Sequence, residues 1–232
     1  VDPGEAGDTG RWLQQQGLRL DAILVTHHHA DYTGGVAALH EATGARVFGP
    51  AFEALPHPSE GVEGGDRLDL LGLRIEVLDV PGHTAGHVAY FLPAVDGQPL
   101  LFCGDTLFSA GCGRLFEGTP AQMLDSLNRL AALPDDTRVC CTHEYTLSNL
   151  RFARVVDPDN ATLARHAEHC QALRAGNQTT LPSSIGLEKQ INPFLRCTEA
   201  AVARAALAHD PATPASALGV FTTLRAWKNV FA

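Results

Sequence analysis

Four times in the first 143 residues a short apolar run gives way to histidine or aspartate. "DAILVT" (21–26) leads into "HHHAD", and "RIEVLDV" (74–80) leads into "PGHTAGH". "PLLFCG" (99–104) leads into Asp105, and "TRVCCT" (137–142) leads into "HEY". Runs of this length bounded by turn residues read as buried strands. One such histidine alone is an ordinary surface or hydrogen-bonded residue. Four strand ends that each bring imidazole or carboxylate are not, because these are the donor types of zinc-like sites. In "HHHAD" the residues His27, His29 and Asp31 are spaced by two, so an extended segment turns them to one side and His28 to the other. Gly34 and Gly35 then let the chain turn sharply into a helix.

The rest of the first 147 residues reads as mixed α/β. "GVAALHEAT" (35–43) is helical in pattern, and Gly44 is a natural stop. "ARVFGP" reads as a strand, and 66–80 as two strands around Gly72, with Leu73, Ile75 and Val77 alternating. "HVAYFL" and "PLLFCG" form a strand pair around Asp96 and Gly97. In "TPAQMLDSLNRLAALP" (119–134), Thr119 and Gln122 have capping-box spacing and Pro120 takes the first helical position. Leu124, Leu127 and Leu130 line one face of that helix, and Pro134 ends it. From about Ser148 the period becomes helical and strand-like runs vanish. The expected division is therefore a mixed α/β part, 1–147, and a helical part, 148–232.

Composition narrows the function classes. The chain has 232 residues, 45% of them hydrophobic, enough for a sizeable core, and a net charge of −9, which argues against a nucleic-acid surface. No apolar run approaches the roughly 18 residues of a membrane span, and the first residues lack the pattern of a signal peptide. Cys103, Cys112, Cys140, Cys141, Cys170 and Cys197 have no metal-finger spacing and read as reduced thiols of a cytoplasmic protein. No membrane or nucleic-acid partner is expected, and a monomer is. The chain begins at Val1, so it reads as processed or as a fragment.

H-x-H-x-D, P-G-H-T-x-G-H, G-D-T-L-F and a late histidine together resemble the metallo-β-lactamase superfamily. "GCGRLFEGT" (111–119), "HEYTLSNLRFA" (143–153) and "LRAWKNVF" (224–231) are similar to the hydroxyacylglutathione hydrolases, glyoxalase II, in particular. The resemblance covers essentially the whole chain. It implies an αββα sandwich followed by a helical substrate-binding domain, and hydrolysis of S-D-lactoylglutathione to D-lactate and glutathione. It implies two divalent ions, zinc first among zinc, iron and manganese. The first ion would be held by His27, His29 and His87 with Asp105 bridging; the second by Asp31, Asp105, His143 and the residue at position 32. Asp31 and Asp105 would serve catalysis, and His83 would hydrogen-bond behind the ligands. Arg114, Tyr145, Arg225 and Lys228 match glutathione-binding positions, and Phe116 keeps an aromatic ring there without a hydroxyl. Arg225 and Lys228 are three apart on a helix, so they share a face suited to a carboxylate.

Two departures stand out. Tyr32 occupies the place of a histidine ligand, and a phenol with an unperturbed pKa of about 10 is a poor ligand near neutrality. The expectation divides between a weakened second site and a Tyr32 that packs aside while water completes the coordination. The two strands that normally precede "VDPG" are also missing, which predicts an uncovered sheet edge. Two other readings compete: a persulfide dioxygenase-like enzyme with one iron, and a degenerate binder of metal or glutathione conjugates without turnover.

Overall fold

The computed structural model describes residues 1–231. In chain order, the first elements are α1 (Gly7–Gln16), β1 (Ala22–Leu24), α2 (Ala30–Thr33), α3 (Val36–Thr43), β2 (Arg46–Pro50) and β3 (Glu60–Val62). Then follow β4 (Arg67–Leu70), β5 (Leu73–Asp79), β6 (Val88–Val95), β7 (Gln98–Phe102), β8 (Leu107–Phe108) and β9 (Gly111–Cys112). Next come α4 (Pro120–Ala131), β10 (Arg138–Cys140), α5 (Thr146–Val156) and α6 (Ala161–Ala175). β11 (Ser183–Ser184), α7 (Ile185–Ile191), α8 (Ala200–His209) and α9 (Ala217–Val230) complete the described chain.

The layering follows from the period-two alternation of strand side chains. β1, β2 and β3 form a parallel sheet, and β11-β10-β7-β6-β5-β4 a mixed one. Val88, Tyr90 and Leu92 of β6 point to one side and meet Leu24, Phe48 and Val62 of the first sheet. Ala89 and Phe91, on the opposite side, meet Met123, Leu127 and Leu130 of α4 together with Phe221 and Leu224 of α9. A strand apolar at successive positions needs cover on both faces, and β6 has it. On the outer face of the first sheet, Ile23, Val25 and Val47 pack on Val36 and Leu39 of α3. The result is helix on sheet on sheet on helix.

The local signals read from the sequence are met at several points. Gly44 ends α3 in the left-handed region at φ 71°, and Asp96 and Gly97 (φ 50° and 84°) make the β6–β7 turn. Thr119 and Gln122 form the capping box of α4. That helix buries Met123, Ser126, Leu127 and Leu130, with Leu124 only partly covered. All six cysteines are free.

One expectation needs correcting. Strands do not vanish after Ser148: Ser183 and Ser184 pair antiparallel with Val139 and Arg138. Two serines offer no apolar alternation, so this edge was invisible in the sequence. In the helical region, Phe152, Val202, Phe221 and Leu224 join the cluster that covers the mixed sheet. β1 ends the first sheet, and Asp2 N donates to Leu24 O at 2.8 Å beside it.

One buried carboxylate ties the helical region to the sandwich. Glu188 of α7 is fully buried and accepts from Ala110 N (2.8 Å), Ser183 Oγ (2.5 Å) and Asn192 Nδ2 (2.9 Å). Asn192 Nδ2 also donates to the carbonyls of Phe108 (3.1 Å) and Gly111 (2.9 Å). Burial raises the Glu188 pKa above its ordinary value, while these donors pull it back. Glu188→Ala orphans buried donors and is expected to cost about 3 kcal/mol. Urea unfolding checks this, and a loss below about 0.5 kcal/mol contradicts it.

Candidate metal centre

β5 and β7 both run antiparallel to β6, and β10 runs parallel to β7, so β5, β7 and β10 point the same way. Their carboxyl ends carry the His83–His87 loop, Asp105 and His143 to one edge of the sandwich. β1 delivers His27 and His29 to the same edge and is stitched to the mixed sheet there. Tyr90 Oη donates to Val25 O (2.8 Å) and Val88 N to Thr26 O (3.0 Å).

The "HHHAD" segment is not extended throughout. His29 caps the short helix α2, which carries Asp31 and Tyr32, and the turn closes through Tyr32 N to His29 O at 3.0 Å. His27 and His29 still share a side. His27 Nε2 lies 3.0 Å from His29 Nδ1, and His83 Nε2 lies 3.0 Å from the same atom. Asp105 Oδ2 is 3.3 Å from His83 Nε2. His28 turns away, as expected, and bridges Glu53 (2.8 Å) and Glu117 (3.2 Å).

Hydrogen-bond chemistry separates the two histidines of "PGHTAGH". His83 Nδ1 is 2.8 Å from the Arg114 carbonyl, which can only accept. That nitrogen therefore carries the proton, and the Nε2 lone pair points at His29 and Asp105. His87 is arranged the other way. Its Nε2 accepts the backbone N–H of Asp105 at 3.2 Å, its Nδ1 is buried without a partner, and its ring stacks on His27 at 4.6 Å. His27, His29 and His83 offer ligand atoms within 4.8 Å of one another, and His87 is not among them. The geometry therefore reverses the expected roles: His83 faces the centre, and His87 supports Asp105 from behind. The motif holds both imidazoles four residues apart, and spacing alone does not say which lone pair is spent on backbone.

Burial keeps the His27, His83 and His87 rings neutral. It lowers His27 far below its ordinary value, brings His87 to about 3, and lowers His83 against the opposing pull of Asp105. Neutral imidazole is the form that ligates. The set is rich in lone pairs and poor in protons, so it fits a divalent cation.

Supports that the sequence reading missed hold the edge in place. Asp2 accepts from Thr26 N (2.7 Å) and Thr26 Oγ1 (3.0 Å), and Thr26 Oγ1 meets His27 Nδ1 at 3.1 Å. Burial pushes the Asp2 carboxyl up to about 7. Glu53 accepts from His28 N (2.7 Å), Gly86 N (3.0 Å) and Thr84 Oγ1, joining the two histidine loops. Gly104, at φ 46°, is required beside them, since a Cβ there would lie 2.7 Å from the His87 ring. No spacing rule marks Asp2 or Glu53.

Tyr32 neither packs aside nor reaches solvent. It is fully buried, its hydroxyl donates to Asp105 Oδ1, and its ring lies 4.0 Å from that of His27 and edge-on to His143 at 5.7 Å. Burial first, then the Asp105 charge, raise the phenol well above its ordinary pKa. His143 Nε2 is 3.4 Å from Asp31 Oδ2 and 3.9 Å from Asp105 Oδ1.

A cleft of about 680 Å³ opens from this centre toward α9. His29, Asp31, His83 and Asp105 line one end, and Arg114, Tyr145 and Lys228 line the other. Phe116 is exposed, its ring edge-on to His83 at 5.2 Å, and Tyr145 stacks on His143 at 4.7 Å. Arg225 also borders the cleft but is buried, its Nη1 donating to Cys112 O (2.8 Å) and Gly113 O (3.3 Å). Lys228 Nζ rests on Ser148 Oγ (3.2 Å). The two cations share a helix, as expected, but Arg225 holds a loop and Lys228 is the freer of the two.

The sandwich with its imidazole–carboxylate edge is that of the metallo-β-lactamase superfamily, whose family model matches residues 1–143. Residues 144–231 match the model described as hydroxyacylglutathione hydrolase C-terminus. The chain belongs to the hydroxyacylglutathione hydrolase (glyoxalase II) family within that superfamily. It is 62% identical over its whole length to the hydroxyacylglutathione hydrolase of Albidiferax ferrireducens, spanning 90% of that protein. It is 57% identical to that of Pseudomonas aeruginosa PAO1, spanning 89%. Among solved structures, ETHE1 from Myxococcus xanthus superposes with a TM-score of 0.63 at 27% identity, over 98% of this chain and 85% of that one. TTHA1623 in a di-iron-bound form gives 0.60 at 30% identity, over 84% and 87%.

The two histidine roles are separable by experiment. His83→Ala is expected to lose zinc to a competing chelator. His87→Gln is expected to retain it, with affinity weakened by no more than about 10–100-fold. The opposite order, read as metal per chain after dialysis, contradicts the assignment.

Proposed function

We infer that this chain hydrolyses S-D-lactoylglutathione to D-lactate and glutathione, with His27, His29, His83 and Asp105 holding a divalent ion, zinc by expectation. The observation that carries the reading is one continuous cleft running from His29, His83 and Asp105 to Lys228 on α9. The full-length relationship to proteins named hydroxyacylglutathione hydrolase supports the same reaction over the dioxygenase and the inert binder. What an ion supplies in such a site is activation of water near neutral pH and polarisation of the carbonyl.

The remaining work falls to the chain. Asp31, on the cleft wall, accepts a hydrogen bond from the attacking water and orients it toward the thioester carbon. Asp105 is locked from both sides, by its backbone N–H on His87 and by Tyr32 on Oδ1, so its Oδ2 stays directed at the centre. Phe116 and Tyr145 flank the acyl-thioester segment with aromatic faces. The glutathione carboxylates need a local cation, because the protein carries a net charge of −9. Arg114 and Lys228 supply it, while Arg225 fixes the Cys112–Gly113 segment that shapes the wall. In this division of labour, residues 1–147 carry the chemistry, and 148–232 bind the glutathione part together with Arg114 from the first part. We place the enzyme in the cytoplasm as a monomer. No helix among the described residues is long and apolar enough to cross a membrane.

Thiol release from S-D-lactoylglutathione tests this directly. The expected result is turnover that a chelator abolishes and zinc restores. Lys228→Ala is expected to raise KM about tenfold with kcat nearly unchanged, the signature of lost uniform binding. A kcat loss at constant KM contradicts the role given to Lys228. Absence of turnover in the metal-loaded native chain contradicts the reaction.

A further inference from the structure

The first-ion residues fit a cation, but those expected for a second do not. Asp31 Oδ2, His143 Nε2 and Asp105 Oδ1 approach one another, at 3.4 and 3.9 Å from the imidazole nitrogen. Into the same place comes the Tyr32 side chain, from α2, directly beside Asp31. Its ring is wedged between His27 and His143, and its hydroxyl is already bonded to Asp105 Oδ1. That is the Asp105 oxygen nearer His143, the one an ion held between these two residues would use.

We propose that Tyr32 makes this a one-ion centre: the phenol fills the second ion's place, and its O–H takes over that ion's hold on Asp105 Oδ1. The assignment rests on the first-ion reading given above. Its logic is local. A carboxylate that bridges two cations with one on each oxygen is satisfied on both by charge. Here Oδ2 faces His83, and Oδ1 receives a neutral donor that cannot leave, because the ring is fully buried. A carboxylate lacking a partner on one oxygen in such a site is costly, so the phenol is also a positioning device for Asp105. Asp31 and His143 are thereby left free of ligation and face the cleft.

Metal stoichiometry tests this without any substrate. The stripped native chain, Tyr32→His and Tyr32→Phe are each reloaded with zinc, desalted, and measured by native mass spectrometry and elemental analysis. The expected result is one ion per native chain, two for Tyr32→His, and one for Tyr32→Phe. The phenylalanine chain is expected to hold its ion about tenfold more weakly, since Asp105 loses its donor. Two tightly held ions in the native chain overturn the proposal. So does a folded Tyr32→His, with native-like circular dichroism, that stays at one. A native chain that holds one ion but does not hydrolyse the thioester supports the one-ion assignment and removes the reaction instead.

Discussion

Lone pairs that face one another across a buried site must share a proton or a cation, and this edge has too few protons. The Arg114 carbonyl takes the only proton of a neutral His83 ring, so His83 Nε2 can only accept, yet it lies 3.3 Å from a carboxylate oxygen, and the one proton of a neutral His29 would have to serve both His83 Nε2 and His27 Nε2, each 3.0 Å from His29 Nδ1. Making His83 an imidazolium would relieve the conflict, but burial opposes that charge. A divalent ion relieves it with no protonation at all. The chain enforces this arrangement through Glu53, Asp2 and His87, none of which needs to touch the ion.

The sandwich explains why these groups meet. Three strands of the mixed sheet run the same way and end at one edge, and the end of β1 is pinned there by Tyr90 and Val88. The helical region is part of the same structure. α9 packs on the sheet through Phe221 and Leu224 while Arg225 grips the Cys112–Gly113 segment. The wall that would meet glutathione and the loops that would hold the ion are therefore parts of one packed unit, which suits a reaction that depends on placing a carbonyl beside a fixed centre.

Much of this was legible from local patterns. Strand-end histidines, the capping box at Thr119 and the turn at Asp96–Gly97 are short-range signals, and each appears in the structure. What was not legible depends on contacts distant in sequence. His83 and His87 differ only in which nitrogen meets a backbone group 31 or 18 residues away. Glu53 and Asp2 sit in irregular segments with no periodicity. β11 is two serines recruited by β10, and α1 buries none of its residues, so neither leaves an apolar trace. Arg225 shares a helix face with Lys228, but only the fold shows that its guanidinium is already committed to two carbonyls. Tyr32 was conspicuous in sequence, and the structure adds its direction: into the site, onto Asp105.

The most direct test of the account is an anomalous-scattering map of zinc-loaded crystals. The account predicts one peak per chain, within bonding distance of His27, His29, His83 and Asp105, with the Tyr32 hydroxyl still on Asp105. A peak bonded to His87, or a second peak between Asp31 and His143, contradicts it.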